Sequence, residues 1–108
     1  MTEREPVLDR TRLDLITRGN PALARALIGE LLDESRGVVE RVRAAIAASE
    51  AREVYDAAHK LKGMAGELGA LRVRAAALAL EGATPERWPA ALAAVERALD
   101  ELQPPAAS

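Results

Sequence analysis

The sequence predicts an all-α fold, an up-and-down four-helix bundle with an additional short N-terminal helix, and three observations carry that expectation. Apolar residues recur at steps of three and four along most of the chain, the spacing that keeps one helical stripe buried over many turns. The apolar share is 49% of 108 residues and is nearly all Ala, Leu and Val, with one Trp, one Tyr and no Phe. Such a composition favours helix over sheet. Finally, capping and breaking residues punctuate the pattern at short connections, so successive helices must pack as neighbours.

The elements follow in order. Leu8, Leu13, Leu15 and Ile16 indicate a short first helix, ended by the RGNP turn from Arg18 to Pro21. Asn20 is a good N-cap for the second helix, and Pro21 suits its first position, where a missing N–H loses nothing. Leu23, Leu27, Leu31, Val38, Val42, Ala45 and Ile46 form its stripe, with Gly37 as a point where it can bend. At AASEARE, Ser49 is the expected cap of the third helix, with Glu50 and Glu53 in its first turn, where the helix dipole favours acids. This helix should run to about Gly69. A fourth follows over LRVRAAALALEG and closes at Gly82. Thr84 and Pro85 provide a cap and first turn for the fifth, whose Trp88, Leu92, Val95, Leu99 and Leu102 lie on one side. The first helix is expected to cap one end of the bundle. The expectation is a single domain over 1–108, ordered over about 7–102 with a loose tail at 103–108.

Charge and composition exclude several function classes. A net charge of -2, with arginines interleaved among acids, provides no field to attract nucleic acid or an anionic membrane. With no cysteine, disulfides, thiolate nucleophiles and Cys-type zinc sites are out of reach. No apolar run approaches the roughly 20 residues that span a bilayer, and MTEREPVLD has acids where a signal peptide has bases. A soluble, cytoplasmic protein is expected.

The informative stretch is AAHKLKGMAGELGA, residues 57–70, which holds the one histidine, His59, followed by glycines at 63, 66 and 69. At about 100° per residue, Val54, Ala58, Leu61, Ala65 and Leu68 fall on an arc roughly 180–260° from His59, so His59 points away from the core. Arg52, Tyr55, Asp56, Lys62, Gly63 and Gly66 share its outer face. Glycine in a helix interior costs about 0.5–1 kcal/mol relative to Ala, so Gly63 and Gly66 are expected to clear space beside the ring, whereas Gly69 punctuates the helix. Lys62 lies one turn beyond the histidine on the same face. An exposed imidazole, an adjacent ammonium and a cleared surface suit covalent carriage of a phosphoryl group, because a free imidazole, with its pKa of about 6.5, is a largely neutral nucleophile near pH 7. Asp56, one turn before His59, either orients the ring or is a surface acid, and the weakness of exposed i to i+3 contacts favours the second. One histidine and no cysteine make a poor metal site.

HKLKGMAGELGA resembles the signature of the histidine phosphotransfer (HPt) domain family, an H-x-L-K-G core followed by small residues and a Leu-Gly pair. NPALARALIGELL resembles the family's second-helix start, AAIAASEAREVYDAAH its approach to the histidine, and ALALEG the end of its fourth helix. The resemblance implies a phosphorelay protein. His59 would accept a phosphoryl group from the aspartyl phosphate of one receiver domain and pass it to another. Lys62 would hold the phosphoryl oxygens and Gly63 would leave room for the receiver. The partners implied are receivers of response regulators and hybrid histidine kinases, which would supply Mg²⁺ to a monomeric carrier with no cofactor of its own. The docking face would include Arg52, Asp56, Lys60, Gly66 and Glu67, with apolar residues of the second helix. Met64 and Ala65 stand where the family often has serine, and aliphatic residues such as Leu31 and Leu32 replace a common second-helix phenylalanine. The chain has no G-x-x-x-x-G-K-[ST] loop, so ATP-dependent autophosphorylation is not expected. The rival class is a helical adaptor that binds partners without phosphorylation; loss of the histidine or lysine would support it, and both are present. A hydrolase using His59 as general base lacks a companion nucleophile or oxyanion site in the motif.

Overall fold

The computed structural model describes residues 5–102, all of them helix or connection, with no strand among them. The helices are α1 (Arg10–Thr17), α2 (Pro21–Ala47), α3 (Ala51–Leu68), α4 (Leu71–Glu81) and α5 (Trp88–Glu101), with a 3-10 turn over Pro85–Arg87. The expected tail at 103–108 lies outside the described residues.

Asn20 caps α2 as its chemistry dictates, its side-chain oxygen accepting from the Ala22 and Leu23 N–H groups, with Pro21 at the first position. The helix runs through Gly37 without a break. Its buried face is Ile28, Leu31, Leu32, Ser35, Val38, Val39, Val42 and Ala45, which shifts the expected stripe at its start. Leu23 is exposed and Leu27 half-buried, because the 27-residue α2 outruns the 18-residue α3 and Leu27 borders an open groove among α1, α2 and α3. Ser35 lies inside the stripe yet leaves no unpaired group, since its hydroxyl donates to the Leu31 carbonyl at 2.6 Å.

Two caps differ from expectation. Ser49 does not cap α3: it sits at φ 55, in the left-handed region, where the Ser49 and Glu50 N–H groups bond back to the Ile46 and Ala45 carbonyls and close α2. Glu50 is the residue before α3 and makes no side-chain cap. Thr84 precedes the 3-10 turn rather than α5 and likewise makes no cap. The Thr84 hydroxyl, and then the Glu86 backbone N–H, hold the Glu86 carboxyl below its ordinary range. Trp88, which begins α5, is buried with Leu92, Val95, Leu99 and Leu102, as the periodicity requires.

α2 packs against α3 and α5, and α4 packs against α3 and α5, so the four longer helices enclose one apolar core. Alanines 57, 58, 65 and 77, with essentially no exposure, let α3 and α4 approach closely. Among the four longer helices an ion pair bridges each packed pair: Arg41 to Glu53 (α2–α3), Lys62 to Glu81 (α3–α4), Arg72 to Glu101 (α4–α5) and Arg43 to Glu96 (α2–α5). The exposed ones contribute at most about 1 kcal/mol each, and their effect is on how the helices align. The segment before α1 lies along the α3–α4 connection, where the Asp9 N–H donates to Gly69 O at 2.8 Å and the Leu71 N–H to Val7 O at 3.1 Å. Arg12 adds a bond from Nε to the Glu67 carbonyl at 3.0 Å, so α1 closes the end of the bundle where α3 ends.

Candidate functional site

The amphipathic pattern of α3 sets the direction of His59. Val54, Ala57, Ala58, Leu61, Ala65 and Leu68 are buried, which leaves the opposite face, and the imidazole on it, to solvent with 60% of the side chain exposed. The ring is not free, however. Its Nδ1 lies 2.6 Å from Oε2 of Glu81, the last residue of α4, and the other oxygen, Oε1, accepts from Lys62 Nζ at 3.0 Å. One carboxylate thus ties together the histidine and the lysine that stand one turn apart on α3.

The charge on Glu81 assigns the proton on the ring. The bond from His59, and then that from Lys62, hold the Glu81 carboxyl below its ordinary value of 4.5, against the opposing effect of burial. An ionised carboxylate only accepts, so Nδ1 carries the hydrogen and donates it. In the neutral ring the lone pair then lies on Nε2, the atom away from Glu81. Tyr55, one turn before His59, stacks on the imidazole with ring centroids 5.8 Å apart and planes 9° from parallel. One turn after it, a Cβ at Gly63 would meet nothing within 4 Å. The result is a nucleophilic nitrogen at an open surface, with an ammonium and a carboxylate beside it.

The structure brings His59, Lys62 and Gly63 together on one face, as the sequence places them. Lys62 is less exposed than its place on the outer face suggests, with 25% of its side chain accessible, because it turns toward Glu81. Gly66 differs from expectation: Arg74 of α4 lies across it, its Cδ 3.3 Å from where a Cβ would stand, so the space there is filled from within the chain. Gly69 ends α3 at φ 82, and a Cβ there would also press on Asp9 and Arg12 at 3.2 Å. Asp56 accepts from Arg52 Nε at 3.1 Å, and the contact to the ring is made by Glu81 instead. Lys60 and Glu67 are exposed, and Glu67 borders the groove of about 550 Å³ lined by Ile16, Leu27, Leu31 and Met64.

Glu81 is the site residue that the sequence reading missed. A signal was present: a carboxylate at the C-terminal end of an apolar helix meets the negative end of the helix dipole and needs a cation nearby. That the cation and the imidazole would come from residues 19 and 22 positions earlier is settled only by how α4 packs on α3. Among the described residues, no group of three or more His, Cys, Asp or Glu is placed to hold a metal ion, and no helix is long and apolar enough to cross a membrane.

Comparison with known proteins gives the arrangement its context. No curated protein matches the chain in sequence. In structure the chain is similar to histidine-containing phosphotransfer protein B (HptB) from Pseudomonas aeruginosa PAO1, with a TM-score of 0.80 over 93% of this chain and 90% of that one. At 22% identity this likeness shows the fold. The family model described as Hpt domain matches residues 26–104, most of the chain and all of the site from His59 to Glu81. With an exposed histidine in the H-K-L-K-G run at the centre of that match, the chain belongs to the Hpt domain family, the histidine phosphotransfer proteins of phosphorelays.

Proposed function

We propose that His59 accepts a phosphoryl group from the aspartyl phosphate of one receiver domain and passes it to the aspartate of another. The observation that carries this reading is the bond from His59 Nδ1 to Glu81, which leaves Nε2 as the outward nucleophile beside the open surface at Gly63. In the transfer, Nε2 forms a bond to phosphorus while the P–O bond to the donor aspartate breaks and its electron pair returns to that carboxylate. The positive charge that develops on the ring is shared through Nδ1–H with Glu81. Lys62 donates one N–H to Glu81 and has others to offer the phosphoryl oxygens. Passing the group on reverses these bond changes.

The receivers of response regulators and hybrid histidine kinases are the partners in this reading, and they bring the Mg²⁺ that neutralises the transferring oxygens. Arg52, Asp56, Lys60 and Glu67 border the approach, and Gly63 is the point of closest contact. The carrier is a cytoplasmic monomer whose four longer helices run up and down, with α1 as an addition at one end.

The test is to incubate the protein with a phosphorylated receiver and Mg²⁺ and look for an acid-labile, base-stable adduct. His59→Gln should abolish it. Lys62→Ala should slow its formation on the order of ten- to a hundredfold, less than the roughly hundred- to thousandfold for an enclosed donor because Lys62 is partly exposed and already shared with Glu81, with the helical content unchanged. Label that survives in His59→Gln, or no label from a panel of receivers, would sink the reading.

A further inference from the structure

Tyr55 is the chain's one tyrosine and one of its two aromatic residues, yet 45% of its surface is exposed. Trp88, the other, is buried in the core as an aromatic ordinarily is. The exposed ring lies parallel to the imidazole, 9° apart in plane, one helical turn before it. Nothing in the packing of α3 demands this: the buried residues of the helix are on its other side.

The imidazole is attached to the chain at Cγ and held at Nδ1 by Glu81. The ring turns about its Cβ–Cγ bond, a single hydrogen bond at Nδ1 restrains that turn without stopping it, and the rocking that remains swings Nε2 toward or away from an incoming phosphorus. A flat surface against one face of the ring opposes it. Tyr55 provides that surface on the N-terminal side, while on the C-terminal side Gly63 leaves the ring uncovered. We propose that Tyr55 is a positioning residue for the phosphoryl transfer, holding the plane of the His59 ring while Glu81 holds its Nδ1. The proposal rests on the phosphocarrier reading and is tested so that the two can fail separately.

The probe is potassium phosphoramidate, which needs no receiver: the ring nitrogen forms the N–P bond as the probe's own P–N bond breaks and ammonia leaves. Full-length wild type, Tyr55→Ala and Tyr55→Phe are labelled side by side, with thermal melts and the NMR shifts of the His59 ring protons recorded for each. Tyr55→Ala should label about three- to tenfold more slowly, the range expected for losing one aromatic contact, and should move the ring-proton shifts, while Tyr55→Phe restores both. If the alanine variant fails to fold, Tyr55→Leu, which keeps bulk without a flat face, takes its place with the same expectation. Equal labelling of wild type and Tyr55→Ala overturns the proposal. So does a loss confined to receiver-dependent transfer, which would make Tyr55 a docking contact, or a Tyr55→Phe variant as slow as alanine. Wild type that takes label from phosphoramidate but from no receiver overturns the relay reading and leaves the positioning role standing; wild type that takes label from neither overturns both.

Discussion

Gly63 and Glu81 show how individual residues divide the work of this surface. Gly63 lies in the interior of α3, where alanine is the better helix former, and a Cβ there would meet nothing. Gly63→Ala should therefore raise stability by about 0.5–1 kcal/mol, measured by urea denaturation. In the proposed relay the same methyl stands where a receiver approaches, so transfer should fall on the order of tenfold. A variant that gains stability without losing transfer would remove Gly63 from the site. Glu81 adds a dependence on pH. Its folded-state value lies below the unfolded one, so its contribution to stability is complete above about pH 4.5 and is lost as the pH falls through the lowered value. The melting temperature of wild type should exceed that of Glu81→Gln at pH 7, and the gap should close toward pH 3. At this scale His59, Lys62 and Gly63 were legible because helical periodicity alone sets which side of α3 they occupy. Glu81 was not, since its role depends on a partner 22 residues away.

At the scale of the elements, turn chemistry located the breaks better than it identified the caps. Asn20, Gly69 and Gly82 end or begin helices where their chemistry says they should. Serine caps helices well, which favours Ser49 as the cap of α3, but the close spacing of α2 and α3 puts it in the left-handed conformation that ends α2. An ordinary residue there is strained, so Ser49→Gly should raise stability by about 0.5 kcal/mol once glycine's greater freedom in the unfolded chain is offset. Gly69→Ala should do the reverse, losing about 1–2 kcal/mol in the same denaturation experiment, since φ 82 is unfavourable for alanine and its methyl would press on Asp9 and Arg12. An alanine variant as stable as wild type would show that the α3–α4 connection relaxes freely. The buried stripe near the start of α2 departs from the periodicity for a different reason. Periodicity identifies a stripe but not the length over which a neighbour covers it, and α2 extends past α3.

Across the whole molecule, the core holds the site in register. Leu80 is fully buried and adjoins Glu81, so α4 can present the carboxylate to His59 only while the leucine is seated. Leu80→Ala should cost about 2–5 kcal/mol by chemical denaturation, and transfer should fall even at temperatures where the variant remains folded. Unchanged transfer in the folded variant would mean that the His59–Glu81 contact does not depend on the seating of α4. The sequence by itself determined the all-helical class, the breaks between helices, the outward direction of His59 and the company of Lys62 and Gly63, because each follows from local periodicity and backbone preference within a single helix. Only the tertiary structure decided that Glu81 orients the ring, that Arg74 fills the space at Gly66 and that Ser49 closes α2. Those contacts depend on how far one helix slides and turns against the next, and that register is set by the joint packing of all the helices around one core, not by any single segment.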